Sequence, residues 1–398
     1  MEGLLDEGNE GARVERVRQD LPAVGREVYL NNGTFGPLPR SSGEAMQEVL
    51  AAELASGRIG PDYYARSREL REEARALLAT RFGATVDEIA LTPRTTDGLD
   101  IALWGMAWRR GDEILTTRDE HPGLLLPLAA LARRTGVRVT FVDTPAEPSP
   151  KAWLDAIAAR QTPQTKAIAF SHVLWTNGDV LPLDAIGAWA RREKLLTIVD
   201  GAQSAGAVSV DVHRSQVDFY ALPGQKWLLG PEGTGALYVH ESRLAECQPT
   251  YVGYLSGQVL DVGGGHFQPS EGARRFEIGS PSQAQLAGMV ASLNWQEQQN
   301  PDWAVRRIGS LSRELAEALS HIEGIEMRTH VAKDMSGLVA FKVAGKASED
   351  VSAELGRAGF RVRHLPPQHG SIRVSCGFYT LREELRSLVA AVGKIAAA

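Results

Sequence analysis

An acid and a lysine stand at the ends of two apolar runs in the middle of the chain. Asp200 ends the run TIVD, and Lys226 follows the run VDFYAL in a turn that also contains Gly224. Ligands of open α/β sheets bind outside the carboxyl ends of the strands, where both residues fall. An acid for a protonated ring nitrogen and a lysine for an aldehyde are what pyridoxal 5'-phosphate (PLP) requires. The pair predicts a PLP site, in which the ring stabilises a carbanion at the α-carbon of an amino acid.

Two loops add candidate contacts to such a cofactor. The segment RTTDG at 94–98 places Thr95 and Thr96 before an apolar helix, where hydroxyl and backbone N–H groups favour a phosphate. The loop DEHPG follows a predicted strand and places His121 at another carboxyl strand end. An imidazole there can stack on the ring or act as an acid or base near the substrate.

Further polar residues fall near the same edge of the predicted sheet. His172 follows the strand 166–171. Gln203 is predicted on the first turn of a helix after Asp200, within reach of the phenolic oxygen of PLP. The C-terminal segment RVRHLPPQHGSIRVS contributes three arginines, a residue type whose fork suits an α-carboxylate: Arg361, Arg363 and Arg373.

The elements that must position these residues alternate along the chain. The apolar patterns predict strands at 87–91, 112–117, 137–143, 166–171, 195–200, 217–222 and 234–239. They predict helices at 95–108, 123–134, 151–160 and 183–193. Such alternation predicts an α/β fold with a mostly parallel sheet and helices on both faces.

The pattern changes after residue 282. Two amphipathic helices are predicted near 283–299 and 302–320, followed by a shorter α/β section. In that section we expect strands at 337–343, 359–365 and 371–376, and helices at 348–358 and from 381. We therefore predict a large domain at 29–282, a small C-terminal domain at 283–398, and an N-terminal segment, 1–28, that packs on the small domain.

Composition narrows the class of protein. The chain has 398 residues, 43% of them hydrophobic and 23% charged, with a net charge of −6 and no basic tract. This balance argues against nucleic acid or an anionic membrane as the main partner. Cys247 and Cys376 are too few for a disulfide framework and fit a reducing cytoplasm. The nine histidines lack metal-ligand spacing, and neither a signal peptide nor a membrane span is predicted.

With these residues in hand, the chain resembles the class V aminotransferase family of fold-type I PLP-dependent enzymes. The resemblance runs from YLNNGTFGPLP to SIRVSCGFYT and includes EHPG, SHVLWTNGDVLPL, DGAQSAG, DFYALPGQKW, GPEGTGALYV, PTYVGY and RRFEIGSPS. Among the members, the motifs are most similar to those of bacterial cysteine and cystine C–S lyases. The resemblance implies an aspartate aminotransferase-like fold, with a mostly parallel seven-stranded sheet in the large domain and a smaller C-terminal α/β domain.

The resemblance also implies roles for individual residues. Lys226 forms the imine and moves the α-proton, Asp200 pairs with the ring nitrogen, and His121 stacks on the ring. The implied contacts to the phosphate and phenolic oxygen come from Thr95, Thr96, Gln203, Gln225 and His172. The implied substrate contacts come from Arg373, Arg361, Arg363, Asn31, Tyr251 and Tyr254. Ser280 matches a position from which a partner subunit reaches the phosphate, which implies a homodimer with shared active sites.

The chain departs from the family pattern at two places. Members usually have Ser or Thr, then Gly-His, before the lysine, whereas this chain has Pro223, Gly224 and Gln225. Proline has no side-chain donor and no N–H, so one phosphate contact is lost, although Gln225 can still donate. Cysteine desulfurases carry a nucleophilic cysteine on the loop before the carboxylate-binding arginine. Here that loop reads RHLPPQHGSI and has none, while Cys376 is expected to pack as a small apolar residue.

The reaction predicted from these features is β-elimination of a sulfur-containing amino acid, which gives pyruvate, ammonia and a thiol or persulfide. It needs no enzyme cysteine, and Arg361 or Arg363 could bind a second carboxylate, as on cystine. Three alternatives remain open at this point. One is an epimerase of the isopenicillin N type, in which His121 supplies the second acid or base. The others are an aminotransferase and a non-catalytic PLP-binding regulator.

Overall fold

The helices and strands follow one another largely as the sequence patterns predict. The structure is a computed structural model that describes residues 7–332 and 334–398. The helices are α1 (Glu7–Gln19), α2 (Arg40–Ser56), α3 (Pro61–Phe82), α4 (Thr95–Gly105), α5 (Pro122–Thr135), α6 (Pro150–Ala158), α7 (Leu183–Glu193), α8 (Gln283–Gln298), α9 (Pro301–Ser320), α10 (Ser348–Arg357) and α11 (Arg382–Ala397). The strands are β1 (Val28–Tyr29), β2 (Ile89–Thr92), β3 (Glu113–Thr117), β4 (Arg138–Val142), β5 (Thr165–Ser171), β6 (Leu196–Asp200), β7 (Phe219–Pro223), β8 (Gly235–Val239), β9 (Gly257–Asp261), β10 (His266–Pro269), β11 (Ile325–Met327), β12 (Leu338–Val343), β13 (Phe360–Arg361), β14 (Arg363–His364) and β15 (Ile372–Ser375).

The main sheet has seven strands in the order β2-β8-β7-β6-β5-β3-β4. Strands β3 to β7 pair in parallel, whereas β8 is antiparallel to both of its neighbours. All seven strands predicted between 87 and 239 are present, with small shifts of their ends. The mostly parallel seven-stranded sheet is therefore confirmed.

Helices cover this sheet on both faces. On β6, Ile198 packs with helices α4 and α5, whereas Val199 packs with α3, α6 and α7. We call these two sides the α4 face and the α7 face. Because successive side chains of a strand point to opposite faces, Asp200 shares the α4 face with Ile198. The sheet thus presents this carboxylate at its carboxyl edge, above the start of α4.

A second, antiparallel sheet lies in the C-terminal part of the chain, in the order β11-β12-β15-β14. Side chains of α9, α10 and α11 pack with its inner residues, among them Leu315, Leu355 and Leu388 around Phe341. This arrangement brings β14 and β15 side by side, and each of them carries one of the predicted arginines.

The N-terminal segment packs on C-terminal residues. Val14 and Val17 of α1 share a cluster with Phe378, and Arg18 forms an ion pair with Glu384 at 2.7 Å. Strand β1 pairs in parallel with β13. The division at 282 stays a prediction, because α8 lies beyond it and yet packs against α2 and α3.

Three local expectations differ from the structure. The residues after Asp200 form turns rather than the predicted helix. The N–H of Ala205 donates to the carbonyl of Gly201 at 3.0 Å as in a helix, but Gly206, with a φ of 96°, then takes the chain out of the helical conformation. The strand predicted at 359–365 is split between β13 and β14, which belong to different sheets. The long helices α2 and α3 were not predicted. Within the described residues, no helix is both long enough and apolar enough to cross a membrane.

Candidate active site

Lys226 lies in a turn just after β7 that is held from two sides. The N–H of Gly224 donates to the carbonyl of Thr234 at 2.8 Å, and the N–H of Gly36 donates to the carbonyl of Gln225 at 2.8 Å. Position 224 requires glycine, because a Cβ atom there would collide with the Thr234 side chain. The turn is therefore a rigid support that presents the lysine at the carboxyl edge of the sheet.

Lys226 and Asp200 are electrostatic partners. Burial lowers the pKa of Lys226 to about 8; the Asp200 charge opposes this shift, while the charges of Arg373 and Arg363 reinforce it. Burial raises the pKa of Asp200, which is 4% exposed, and Lys226 opposes that shift. The Asp200 carboxylate also accepts the N–H of Ala202 at 2.8 Å. An amine with a lowered pKa is a better base and nucleophile near neutral pH than an exposed lysine.

The start of α4 offers an anion site beside this pair. Its N-cap residue, Arg94, makes no side-chain capping bond. The first N–H groups of the helix, at the positive end of its dipole, are therefore available to bind an anion. Thr95 is buried at this first turn. The Thr96 hydroxyl donates to the carbonyl of Gly123 at 3.3 Å, which ties the turn to the His121 loop. Nearby in the lysine turn, the amide oxygen of Gln225 is buried without a hydrogen-bond partner.

His121 caps helix α5 and faces Trp175. Its Nδ1 accepts the N–H of Gly123 at 3.0 Å, which leaves Nε2 to carry the proton of the neutral ring. Desolvation lowers its pKa to about 4, and the positive charges of Lys226, Arg363 and Arg373 act in the same direction. The Trp175 ring packs edge-on against it, with the centroids 5.0 Å apart. His121 is therefore a neutral ring at physiological pH, close to the lysine and both arginines.

Glu120, the residue before this histidine, is a second buried acid of the site. It accepts the Ser171 N–H at 2.9 Å, the Ser171 hydroxyl at 2.5 Å and the Thr117 hydroxyl at 2.7 Å. Burial raises its pKa to about 7, and the charge of Asp200 adds to that shift. Because Ser171 pairs with Asp200 across β5 and β6, Glu120 links the His121 loop to the strand end that holds Asp200.

Arg363 and Arg373 face each other across strands β14 and β15, where they are direct partners in the ladder. Arg373 is 1% exposed, and neither guanidinium has a carboxylate partner among the described residues. Nη1 of Arg373 donates to the carbonyl of Trp175 at 3.0 Å, while its Nε is buried without a partner. Burial lowers the pKa of Arg373 to about 9, as does Arg363. Two adjacent guanidinium groups without an acid are a site for a carboxylate.

Thr34 joins the two arginines to the N-terminal segment. Its Oγ1 accepts from Arg363 at 3.0 Å and from Arg373 at 3.3 Å, and donates to the side-chain oxygen of Asn31 at 2.7 Å. Asn31 in turn bridges to Ser375 of β15. The predicted residue Asn31 therefore reaches the arginine pair through Thr34.

Three other predicted residues have side chains that are already bonded to other protein groups: Arg361, His172 and Gln203. Arg361 forms a bidentate ion pair with Glu27, at 2.9 and 2.7 Å, on the surface. His172 bonds through Nδ1 to the hydroxyl of Tyr220 at 3.1 Å, and Tyr220 packs on the α7 face, opposite Asp200.

Gln203 lies close to the site, but both ends of its amide are already bonded. It donates to the carbonyl of Gly33 at 2.9 Å and accepts from the indole of Trp227 at 3.0 Å. Its contact to a phenolic oxygen, like the cofactor contact of His172 and the substrate contact of Arg361, stays a prediction.

Tyr251, Tyr254 and Ser280 lie together on an exposed surface. The hydroxyl groups of Tyr254 and Ser280 are hydrogen-bonded to each other, and both tyrosines are about 70% exposed. A cavity of about 610 Å³ lies between this surface and the start of α4, with Tyr251, Ser280 and Arg94 in its wall. The predicted partner-facing residues are thus next to the anion site of their own chain and free to face a second one.

Neither cysteine is placed for chemistry. Both thiols are buried and unpaired. Burial raises the pKa of Cys247 to about 12 and that of Cys376 to about 12. Because the thiolate is the reactive form, both side chains are inert at neutral pH. The expectation that Cys376 packs as a small apolar residue agrees with its place in the C-terminal core.

Sequence reasoning missed three residues of the site: Thr34, Glu120 and Trp175. Glu120 and Trp175 lie within the motifs EHPG and SHVLWTNGDVLPL, so their positions next to candidate residues were a usable signal. Thr34 also lies within a quoted motif, YLNNGTFGPLP, but its contacts to Arg363 and Arg373 join distant parts of the chain and have no local signal.

These residues fit PLP. The buried Asp200 suits a protonated ring nitrogen, the lysine of lowered pKa suits the aldehyde, and the uncapped start of α4 suits the phosphate. The orphaned amide oxygen of Gln225 also leaves that side chain with unused hydrogen-bonding capacity at the same place. Among the described residues, no cluster of side chains could hold a metal ion.

Fold and site together define a PLP-dependent enzyme that acts on an amino acid. The family described as aminotransferase class-V matches residues 28–388, and the chain belongs to this family. The predicted fold class, cofactor and resemblance are thereby confirmed.

Individual relatives cover almost the whole chain. A probable cysteine desulfurase of Methanothermobacter thermautotrophicus is 30% identical over 96% of this chain and 98% of its own length. The isopenicillin N epimerase of Streptomyces clavuligerus is 30% identical over 92% and 94%. A solved complex of the cystine C–S lyase C-DES with its product, cysteine persulfide, superimposes with a TM-score of 0.88 at 31% identity, over 94% of this chain and 99% of that one.

Proposed function

We propose that the protein is a PLP-dependent C–S lyase that removes sulfur from cysteine- or cystine-type amino acids by β-elimination. The observation that carries the proposal is that both thiols are buried, whereas the Lys226–Asp200 pair is intact. A desulfurase that stores sulfur on its own cysteine needs a reactive thiol, and this chain offers none. The similarity to the cystine C–S lyase supports the same choice.

The chain's own groups divide the work as follows. When bound, PLP supplies a protonated ring that accepts the electron pair of the broken Cα–H bond. Asp200 holds the proton on the ring nitrogen. Arg373, backed by Arg363, binds the α-carboxylate and so fixes the orientation of the α-carbon. The Lys226 amine accepts the α-proton, since its pKa of about 8 leaves a useful neutral fraction near pH 7.

The reaction balances with water as its one further reactant. The α-proton moves to Lys226, the C–S bond breaks, and its electron pair leaves with the sulfur as a thiolate or persulfide. The three-carbon remainder takes up water and gives pyruvate and ammonia. No cysteine of the protein takes part.

Purified, PLP-loaded protein tests the proposal with L-cystine, L-cysteine and a cysteine S-conjugate. Pyruvate and ammonia are measured while the absorbance of the cofactor is followed. We expect pyruvate from at least one sulfur substrate and none from Lys226→Ala. A double variant, Cys247→Ala with Cys376→Ala, should keep its pyruvate production within about threefold. Loss of activity in a folded double variant would point to a cysteine-based desulfurase instead.

One relative favours a second candidate, an amino-acid epimerase. His121 remains neutral near pH 7 and lies close to Lys226, so it could accept a proton on the opposite side of the α-carbon. Exchange of the α-proton in deuterated water without pyruvate would support this reaction. Formation of pyridoxamine phosphate would support an aminotransferase.

The proposed enzyme is a homodimer with shared active sites. The exposed tyrosines Tyr251 and Tyr254 and the adjacent Ser280 support an arrangement in which Ser280 reaches the phosphate of the partner subunit. A cytoplasmic location is proposed from the two unpaired cysteines, which suit a reducing compartment.

A further inference from the structure

Trp175 joins His121 to the loop between β14 and β15. Its ring packs edge-on against His121 on one side and against His369 on the other, at centroid distances of 5.0 and 5.3 Å. His369 belongs to the loop between β14 and β15. The three rings form an aromatic strip that leads from His121 to the β14–β15 loop.

The same tryptophan is tied to the carboxylate site. Its carbonyl accepts Nη1 of Arg373 at 3.0 Å. A substrate whose α-carboxylate binds Arg373 and whose α-carbon lies at Lys226 therefore has its side chain next to the strip. Divalent sulfur makes favourable contacts with aromatic ring edges, so this wall suits a sulfur-bearing chain.

The indole N–H of Trp175 has no hydrogen-bond acceptor in the structure. The residue is 5% exposed, and its Nε1 is buried without a hydrogen-bond partner. Buried donors are nearly always paired, and an unpaired one lowers stability. Arg373 Nε, on the residue that binds the Trp175 carbonyl, is unpaired in the same way. Trp175 and Arg373 are bonded to each other, and each has one buried donor without an acceptor. These two donors indicate a ligand with several acceptor oxygens.

We propose that Trp175 is a specificity-determining residue that selects amino acids with an extended, sulfur-bridged side chain ending in a second polar group. L-cystine is such an amino acid, and free L-cysteine is not. The edge of the ring contacts the sulfur bridge, and the indole N–H donates to the distal polar group. The inference rests on the proposed function for its sulfur chemistry, but its binding test does not depend on catalysis.

Two analogues that contain no sulfur leaving group separate binding from reaction. 2,7-Diaminosuberate has the length and both ends of L-cystine, and L-2-aminobutyrate has the size of L-cysteine. Each is titrated into the PLP-loaded protein, and the dissociation constant is read from the absorbance of the cofactor. We expect the wild type to bind diaminosuberate at least about tenfold more tightly.

Two substitutions at Trp175 divide the effect. Trp175→Phe keeps a ring and removes the N–H. The dissociation constant of diaminosuberate should therefore rise about fivefold to tenfold, while that of aminobutyrate should change less than about twofold. Trp175→Ala also removes the wall and should weaken diaminosuberate by about tenfold more. Trp153→Phe is the matched control, because Trp153 Nε1 is also buried and unpaired but lies on the α7 face. This control should change neither constant.

The proposal fails if the wild type binds the two analogues equally, or if Trp175→Phe weakens both to the same extent. The first result needs no variant, so a misfolded variant cannot hide it. Steady-state kinetics on L-cystine and L-cysteine give an independent readout, in which Trp175→Phe should raise KM for L-cystine alone. If no sulfur substrate yields pyruvate, the proposed function fails, while the two dissociation constants still decide the role of Trp175.

Discussion

Arg373 shows how one residue can serve function at the expense of stability. Its guanidinium is buried beside that of Arg363, without an acid among the described residues. A buried charge without a partner costs free energy that a hydrophobic side chain of similar volume would not. In the proposed function, the α-carboxylate of the substrate is the missing partner, so the cost would be recovered only on binding.

Replacing this arginine should therefore separate the two properties. Arg373→Met is expected to raise the melting temperature of the cofactor-free protein by a few degrees, about the effect of 1 kcal/mol or more. The same change should raise KM for the amino acid about tenfold to a hundredfold, because a charged hydrogen bond is lost. Calorimetry and initial rates measure the two effects. Arg386→Met, at an exposed ion pair with Glu383, is the control and should alter neither appreciably.

Glu120 gives the cofactor-free protein a specific pH dependence. Burial raises its pKa from 4.5 to about 7, so the native state holds a proton that the unfolded state has released between those values. The contribution of Glu120 to stability must then fall as the pH rises through this window, by up to about 1.4 kcal/mol per pH unit. Urea unfolding at pH 5, 6 and 7 should therefore show the free energy of unfolding of the wild type falling with pH relative to that of Glu120→Gln. Identical slopes for the variant and the wild type would contradict the shift.

Among the elements, the loop after β1 and the lysine turn after β7 depend on each other. Gly36 donates its N–H to the carbonyl of Gln225, and a Cβ atom at this position would collide with the carbonyl of Lys226 and the side chain of Leu229. The catalytic lysine is thus positioned partly by a residue far away in the chain. Neither element could hold this geometry alone.

Gly36→Ala should displace the lysine turn. We expect kcat to fall more than about tenfold and the free energy of unfolding to fall by about 1–3 kcal/mol, since overpacking forces the backbone to shift. Gly25→Ala is a suitable control, because nothing lies within 4 Å of the Cβ it would add. Rates, cofactor absorbance and unfolding curves distinguish the two variants. Equal behaviour of both would show that the close approach of Gly36 is unimportant.

The elements also show how far sequence reasoning reaches. Apolar runs with polar ends predicted the strand that ends at Asp200 and the strand that precedes Lys226, because that signal is local. The helix predicted after Asp200 was wrong, since Gly206, with a positive φ, takes the chain out of the helical conformation within the first turns. The network around Thr34 lay beyond prediction, because pairing between distant segments creates it.

At the scale of the whole molecule, one surface of the chain is apolar and exposed. We name it the hairpin patch; within the described residues it comprises side chains of the β9–β10 hairpin and the adjoining loops: Tyr251, Tyr254, Val259, Leu260, Val262, Phe267 and Ile278. Exposed apolar groups of this extent mark an interaction site. A second copy of the chain is the proposed partner.

Sedimentation should therefore give twice the mass of the chain. A charge in the patch, as in Leu260→Asp with Val262→Asp, should shift the protein toward monomer and weaken PLP binding, because Ser280 would no longer reach the other subunit. Val331→Asp changes an equally apolar exposed residue outside the patch and should leave the dimer intact. A monomeric wild type, or a dimer that survives both patch charges, would refute the arrangement.

The pairing of residues 30–34 with residues 373–375 has a consequence for biosynthesis. The N–H of Ser375 donates to the carbonyl of Leu30 at 2.8 Å, and Thr34 accepts from Arg373. While the ribosome is still adding the last segment, the first segment has no surface to pair with. The residues of the central sheet emerge much earlier, so Asp200 and Lys226 can meet while translation continues. The proposed pocket for the amino acid is completed only when the segment that carries Arg363 and Arg373 has been made and has folded, so substrate recognition arises later than the pairing of Lys226 with Asp200.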